Sequence, residues 1–209
     1  LFDSLVNAER LLLQHQQKSE NALPRVVNVP VCMLNTQYRM HEAISRWASR
    51  EMYHGMLKAA PEVAARKLRE LPSVAKKISA LDTAAKATED YDDNERENDM
   101  ELTLEMLEAP LVLVDTAGLS LNEVEDFESG SKANTGEAQL VAAYLALMIS
   151  SAGVEPTDIA VISPYSAQVS LLKQTLEENG EDWLSQGLEI RTVDGFQGRE
   201  KELVVLSLV

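Results

Sequence analysis

Short apolar runs rich in β-branched residues alternate along this chain with segments of helical periodicity, and no other feature constrains its fold as strongly. The runs that predict strands are residues 29–34, 111–114, 159–162, 188–193 and 203–209. Helices are predicted over residues 135–151, with Thr135 as N-cap and Gly153 as stop, and over residues 166–178. Strands alternating with helices form βαβ units, in which helices cover both faces of a parallel sheet. The predicted fold class is therefore α/β.

The part of the chain before the second run is predicted to be mainly helical. Apolar residues recur at steps of three and four over residues 40–52, which predicts a helix whose single apolar face includes Trp47. Shorter helical pieces are expected over residues 54–81, interrupted at Pro61 and Pro72, because proline is not tolerated inside a helix.

The charge is strongly negative but unevenly distributed. A formal charge of -15 excludes a uniformly basic surface for nucleic acid, because backbone affinity comes from Lys and Arg that neutralise phosphates. Residues 39–86 nevertheless carry ten basic and five acidic side chains, whereas residues 88–100 are acidic and lack periodic apolar positions. That tract predicts a mobile, solvated insertion at about residues 87–109.

Several classes of protein are excluded by what the chain lacks. The single cysteine, Cys32, excludes an internal disulfide and a cysteine-based zinc site, and no histidine has a second ligand at metal spacing, so no metal site is predicted. No apolar stretch approaches the roughly 20 residues of a membrane span. The chain starts without Met or a signal peptide and stops inside an apolar run. We expect a piece of a longer intracellular protein of the cytoplasm or nucleus.

Polar residues follow three of the predicted strands, in loops at residues 35–41, 163–168 and 192–200. Ligands of open parallel sheets bind at the carboxyl ends of the strands. The three loops are therefore expected to converge on one surface.

The first two loops carry groups suited to phosphates and bases. Arg39 beside Tyr38 suits a nucleotide, because a guanidinium donates forked hydrogen bonds to phosphate and a phenol ring stacks on a base. The alternative is that Arg39 pairs with a carboxylate and Tyr38 packs on the following helix. In Ser163-Pro164-Tyr165, a hydroxyl and free backbone N–H groups suit a phosphate, with a plain helix start as the alternative.

The third loop combines glycines with polar side chains. Gly195 and Gly198 permit positive φ and a close backbone approach to a ligand. Thr192 offers a hydroxyl, and Glu200 is an acceptor suited to a ribose hydroxyl. The alternative is a turn that merely requires its glycines.

Taken in order, these loops resemble the second RecA-like domain of superfamily 1 helicases. LNTQYRMHEAISRWAS is similar to the motif IV region, ISPYSAQ to the segment that grips the nucleic-acid backbone, and RTVDGFQGREKELVVLS to motif V. Together with PLVLVDTAG, the match is typical of the up-frameshift branch of these helicases. The resemblance implies a RecA-like parallel sheet of the P-loop NTPase type with helices on both faces, plus a helical and acidic insertion.

The resemblance also implies an ATP site. Tyr38 would stack on the adenine, with Gln37 among the ATP-binding residues. Arg39 would be the catalytic residue, contacting the γ-phosphate across an interdomain cleft as an arginine finger. Gly198 and Glu200 would approach the phosphate and ribose of the same nucleotide. The implied cofactor is ATP with Mg²⁺, and the Mg²⁺ ligands are expected in a preceding first RecA-like domain, because this chain has no G-x-x-x-x-G-K-[ST] loop.

The second implied ligand is a single strand of RNA or DNA, which the motor would follow from 5′ to 3′. The residues implied to hold its phosphates, giving sequence-independent and salt-sensitive binding, are Ser163, Pro164, Tyr165, Thr192 and Val193. The expected partners are thus the single strand and the first RecA-like domain, with no membrane.

The domain organisation implied by the resemblance has two parts. Residues 1–28 would end the preceding RecA-like domain or connect to it, and residues 29–209 would form most of the second. The chain alone is expected to be inactive, because it carries half of an ATP site. The alternative function is a degenerate RecA-like domain that serves as a non-catalytic scaffold for nucleic acid or protein.

Overall fold

The computed structural model describes residues 32–87, 104–125 and 130–209. The chain divides between Leu34 and Asn35, and every element described below belongs to the second unit. The predicted connector at residues 1–28 and the acidic tract at residues 88–100 lie outside the described residues. The first predicted strand is described only from residue 32 onward, and residues 32–34 are not in a strand.

Seven α-helices and seven strands are present in the described ranges, together with short 3-10 helices at Leu68–Glu70 and Pro156–Asp158. The helices are α1 (Glu42–Tyr53), α2 (Pro61–Ala64), α3 (Pro72–Ala87), α4 (residues 104–108), α5 (Thr135–Ala146), α6 (Ser166–Glu178) and α7 (Val193–Phe196). The strands are β1 (Thr36–Gln37), β2 (Lys58–Ala59), β3 (Val124–Glu125), β4 (Lys132–Ala133), β5 (Ile159–Ser163), β6 (Glu189–Thr192) and β7 (Leu203–Leu206). A π-helical turn, Leu147–Ser151, extends α5. None of the described helices is long and apolar enough to cross a membrane.

The central feature is a three-stranded parallel sheet in the order β6-β5-β7. Every residue of β5 is buried, because this strand has neighbours on both edges and packed side chains on both faces. In the register of the sheet, Ser163 lies opposite Thr192, and Ile162 lies opposite Leu206. The prediction of a RecA-like α/β fold with a parallel sheet is confirmed, and the exits of β5 and β6 lie side by side.

The hydrophobic core lies between this sheet and helices α5 and α6. Helix α6 buries Val169, Leu172 and Leu176 on one face, as its periodicity predicts. Helix α5 with its π-helical turn contributes Leu145 and Met148, both fully buried. These contacts hold the start of α6 against the carboxyl end of the sheet.

Helix boundaries follow the predicted chemistry with small shifts. Gly153, at φ +81°, follows the last turn of the α5 segment, as predicted. The N-cap of α5 is Asn134, whose side chain accepts from the amide of Glu137, so the prediction of Thr135 is wrong by one residue. Pro61 and Pro72 are the first residues of α2 and α3, since proline fits the first turn, where no amide partner is required.

The strand predicted at residues 111–114 is absent from the described chain. These residues have no strand partner, and the side chain of Leu113 is 91% exposed. The carboxylate of Asp115 accepts from the amide of Ala117 and starts a turn. An apolar run forms a strand only where a neighbouring strand offers a ladder of hydrogen bonds, and composition does not reveal that neighbour.

The predicted apolar face of α1 is also wrong. The buried residues are Ser45 and Ser49, whereas the side chain of Trp47 is 59% exposed. The hydroxyl of Ser49 donates to the carbonyl of Leu57 at 2.7 Å. A small polar side chain on the inner face thus lets the chain after α1 turn back against the helix.

The end of the predicted insertion packs on the domain. Leu107 in α4 is buried in the core, and Glu108 forms ion pairs with Lys67 and Arg69. The side-chain hydrogen bonds from Lys67 and then Arg69 lower the pKa of Glu108 below its ordinary value. From residue 104 the segment is therefore part of the folded unit rather than a linker.

Candidate functional site

Parts of all three predicted loops line one cleft of about 580 Å³. The predicted site residues in its wall are Arg39, Pro164, Val193 and Gly198. The other lining residues are Ile162, Asp194, Phe196, Gln197, Arg199, Leu206 and Leu208. Pro164 and Val193 meet because β5 and β6 end at the same edge of the sheet. Arg39 reaches the cleft from a separate two-stranded sheet, β1-β2.

The loop that carries Arg39 is shaped by Gln37. The Gln37 Oε1 atom accepts from the amides of Arg39 and Met40, each at 2.8 Å, and its Nε2 atom donates to the carbonyl of Met40 at 2.6 Å. Tyr38 is 71% exposed and does not pack on the following helix, so the ring is free to stack on a ligand. Gln37 itself is occupied by backbone contacts.

Arg39 and Glu200, two residues predicted to touch the nucleotide, form an ion pair. The Arg39 Nε atom lies 2.6 Å from the Glu200 Oε2 atom, and the two side chains are 57% and 67% exposed. The alternative that Arg39 pairs with a carboxylate therefore holds in this structure, but the carboxylate is itself a predicted site residue. Exposed ion pairs contribute little to stability, so a phosphate can replace Glu200 as partner.

The two glycines of the third loop have different roles. Gly198 has φ +82°, and no atom lies within 4 Å of the position that a Cβ would take, so its backbone is open to solvent at the cleft. Gly195 lies inside α7 without a positive φ, so it does not use the conformational freedom that glycine permits. A Cβ on Gly195 would lie 3.2 Å from the hydroxyl of Thr192, which caps the helix.

The hydroxyls predicted to hold the strand already have partners within the domain. Ser163 is fully buried, and its Oγ atom accepts from the amide of Tyr165 at 3.3 Å. Thr192 accepts from the amide of Gly195. The amide of Ala167 donates to the hydroxyl of Ser131 at 2.9 Å. The expectation of free amides at the start of α6 is therefore wrong for Tyr165 and Ala167.

A basic cluster beside the cleft was missed by the sequence reasoning. The half-buried carboxylate of Glu189 contacts Arg191, Arg199 and Lys201 at 2.9, 2.8 and 3.3 Å. The hydrogen bond from Arg191, followed by one from Lys201, lowers the pKa of Glu189. The cluster has three cations for one anion, and Arg199 also lines the cleft. The positions of Glu189 and Arg191, two apart on a strand, were the available signal.

No metal centre is formed within the described ranges, where no group of three or more His, Cys, Asp or Glu side chains is arranged to hold an ion. The cleft presents the guanidinium groups of Arg39 and Arg199, an open glycine backbone and an apolar wall. These groups suit a phosphate-bearing ligand with a flat or apolar part.

Comparison with known proteins agrees with this chemistry. The family model described as "AAA domain" matches residues 8–209. The chain is 45% identical to the DNA-binding protein SMUBP-2 of Rattus norvegicus over 179 residues, 86% of this chain and 15% of that protein. It is 39% identical to the DNA polymerase alpha-associated DNA helicase A of Saccharomyces cerevisiae, over 86% of this chain and 23% of that protein.

An archaeal relative extends the comparison. An uncharacterized ATP-dependent helicase of Methanocaldococcus jannaschii is 33% identical over 85% of this chain and 22% of its own length. The chain thus spans less than a quarter of each of these relatives. It belongs to the AAA domain family, in the up-frameshift-like branch of superfamily 1 helicases.

Proposed function

We propose that this chain is the C-terminal, second RecA-like motor domain of an ATP-dependent RNA/DNA helicase that moves from 5′ to 3′. One observation carries the proposal: Arg39, Glu200 and Gly198 lie together at a cleft whose wall also contains Pro164 and Val193. Groups suited to a nucleotide and groups suited to a strand are therefore neighbours, as a motor that couples the two ligands requires.

Arg39 is the residue proposed to act on ATP. Its guanidinium is exposed at the rim of the cleft, and the ion pair that it forms among the described residues, with Glu200, is a weak one. Placed against the γ-phosphate from across an interdomain cleft, it would stabilise the charge that develops in the transition state. Tyr38 would stack on the adenine, and Gln37 would hold the loop in place. Mg²⁺ would neutralise phosphate charge, with ligands outside the described residues.

The strand is proposed to bind along the exits of β5 and β6. Pro164 and Val193 are exposed there and offer apolar contacts to sugars and bases that do not depend on sequence. Tyr165 is half-buried at the same edge. Ser163 and Thr192 would act by shaping the loops that follow β5 and β6, because their hydroxyls accept hydrogen bonds from backbone amides in those loops.

Arg39→Ala in the complete protein tests the motor assignment. Strand-stimulated ATP turnover should fall by about 10³-fold or more, since that is the range for loss of an arginine finger, while affinity for a single strand stays unchanged. Arg50→Ala is the matched control, because Arg50 is an exposed arginine that pairs with Glu51 on α1 and should leave turnover unaffected.

Unchanged turnover in Arg39→Ala would contradict the finger assignment. If the wild-type protein also bound the strand without hydrolysing ATP, the non-catalytic scaffold would replace the motor as the favoured function.

A further inference from the structure

Gln168 is a buried amide with an unusual set of partners. It is the third residue of α6, and its side chain is fully buried. Its Oε1 atom accepts from the amide of Asn134 at 2.8 Å. Its Nε2 atom donates to the hydroxyl of Ser207 at 3.0 Å and to the carbonyl of Asn134 at 3.4 Å. Every polar atom of this side chain is thus directed at another segment of the chain.

The partners are themselves fixed. Asn134 caps α5 through the amide of Glu137 and donates to the carbonyl of Leu121 at 3.2 Å. Ser207 follows β7, and its amide donates to the carbonyl of Ile162 at 3.0 Å, extending the pairing with β5. Gln168 therefore joins the start of α5, the start of α6 and the exit of β7 at the carboxyl end of the sheet.

This junction lies directly behind the loop proposed to contact the strand. Pro164 and Tyr165 connect β5 to α6, so their position depends on where the first turn of α6 stands. The rest of α6 is held by apolar packing, which has no preferred direction and permits small shifts. Hydrogen bonds to a buried amide are directional and costly to break, so they fix that position.

We propose that Gln168 is a positioning residue for single-strand binding: it holds the Pro164–Tyr165 loop in register with the exit of β6. The inference rests on the proposed function and adds to it a residue that never touches the strand. Its loss should move the loop and weaken strand binding, while turnover at saturating strand is kept, because Arg39 follows a strand of the separate β1-β2 sheet.

The test uses the complete protein with Gln168→Leu and measures the Kd for fluorescein-labelled oligothymidylate at fixed salt, together with strand-stimulated ATPase. We expect the Kd and the strand concentration for half-maximal stimulation to rise by about tenfold, with kcat within about twofold of wild type. Thr175→Val is the matched control, because Thr175 is a buried polar residue two turns further along the same face of α6.

A smaller substitution, Ser207→Ala, tests the same contact in case Gln168→Leu does not fold. Ser207→Ala removes only the hydrogen bond between Gln168 Nε2 and the Ser207 hydroxyl and should raise the Kd by about threefold. The double variant Gln168→Leu with Ser207→Ala should have the same Kd as Gln168→Leu alone, because both substitutions break the same hydrogen bond. An unchanged Kd in both single variants, full additivity, or an equal rise in Thr175→Val would overturn the proposal. Failure of the wild-type protein to bind the strand would instead overturn the proposed function, and this inference with it.

Discussion

Arg39 and Glu200 are 161 positions apart in the chain, yet their side chains form the contact that best marks the site. The position of each side chain depends on residues close to it in the chain. Gln37 fixes the loop that carries Arg39, and Gly198, with its open backbone, lies two residues before Glu200. In the proposed ATP site, Glu200 would compete with phosphate for the Arg39 guanidinium. At this scale the site depends on backbone geometry as much as on charge.

Gly198→Ala tests the role of that backbone. An L-residue at φ +82° costs about 1–2 kcal/mol, and the resulting shift should raise the KM for ATP in the complete protein. Gly180→Ala is the matched control, since Gly180 has φ +77°, open space at its Cβ position and a place in the turn after α6. Both variants should lose similar thermal stability. A KM that changes equally in both would contradict a ligand role for Gly198.

Among the elements, the short helix α4 is held by apolar packing of Met106 and Leu107 against the core and by the charge of Glu108. Leu107 is buried in the core, and the adjacent Glu108 pairs with two cations from the segment between α2 and α3. Glu108, near the end of the predicted insertion, thus pairs with cations of the basic segment at residues 39–86.

Docking of α4 should therefore weaken in acid. Because the pKa of Glu108 is lowered in the folded state, its contribution to stability is present above the ordinary carboxyl pKa and is lost as the pH falls through the folded pKa. The difference in unfolding free energy between wild type and Glu108→Gln should be constant near neutrality and shrink below about pH 4. Urea unfolding across pH measures it.

Glu51→Gln controls for removal of one negative charge, since Glu51 pairs only with its neighbour Arg50 among the ion pairs of the described residues. A difference for Glu108→Gln that does not shrink in acid would show that the pairing does not hold α4.

Over the whole molecule, a charge of -15 does not argue against the proposed strand-binding surface, because the charges are segregated along the chain. Three cations surround Glu189 beside the cleft, and one of them, Arg199, lines it, while the acidic tract lies elsewhere in the sequence. Averaged over the chain, the charge predicts repulsion of a polyanion; taken locally, it predicts attraction.

Salt dependence separates these two expectations. In the complete protein, strand affinity should fall as salt rises, and Arg199→Gln should reduce the slope of log affinity against log salt by about 0.7, the value for one phosphate contact on a single strand. Arg46→Gln, an exposed arginine on α1, should leave the slope unchanged. Equal slopes for wild type and Arg199→Gln would remove Arg199 from the strand site.

The sequence by itself determined the features that depend on near neighbours. Helix α6, the buried strand β5 and the stop at Gly153 follow from periodicity, β-branching and residue type within a few positions. The resemblance of the loops to helicase motifs also needs only the order of residues. These predictions succeeded because local conformation and packing favour the same answer.

Only the tertiary structure decided which residues meet across long separations. It paired Arg39 with Glu200, surrounded Gln168 with Asn134 and Ser207, and turned the serines of α1 inward. It also left the apolar residues 111–114 outside any described strand. The physical reason is common to all of these: hydrogen bonds, ion pairs and burial depend on partners brought close by the fold, and a partner's distance is not encoded in any short window of sequence.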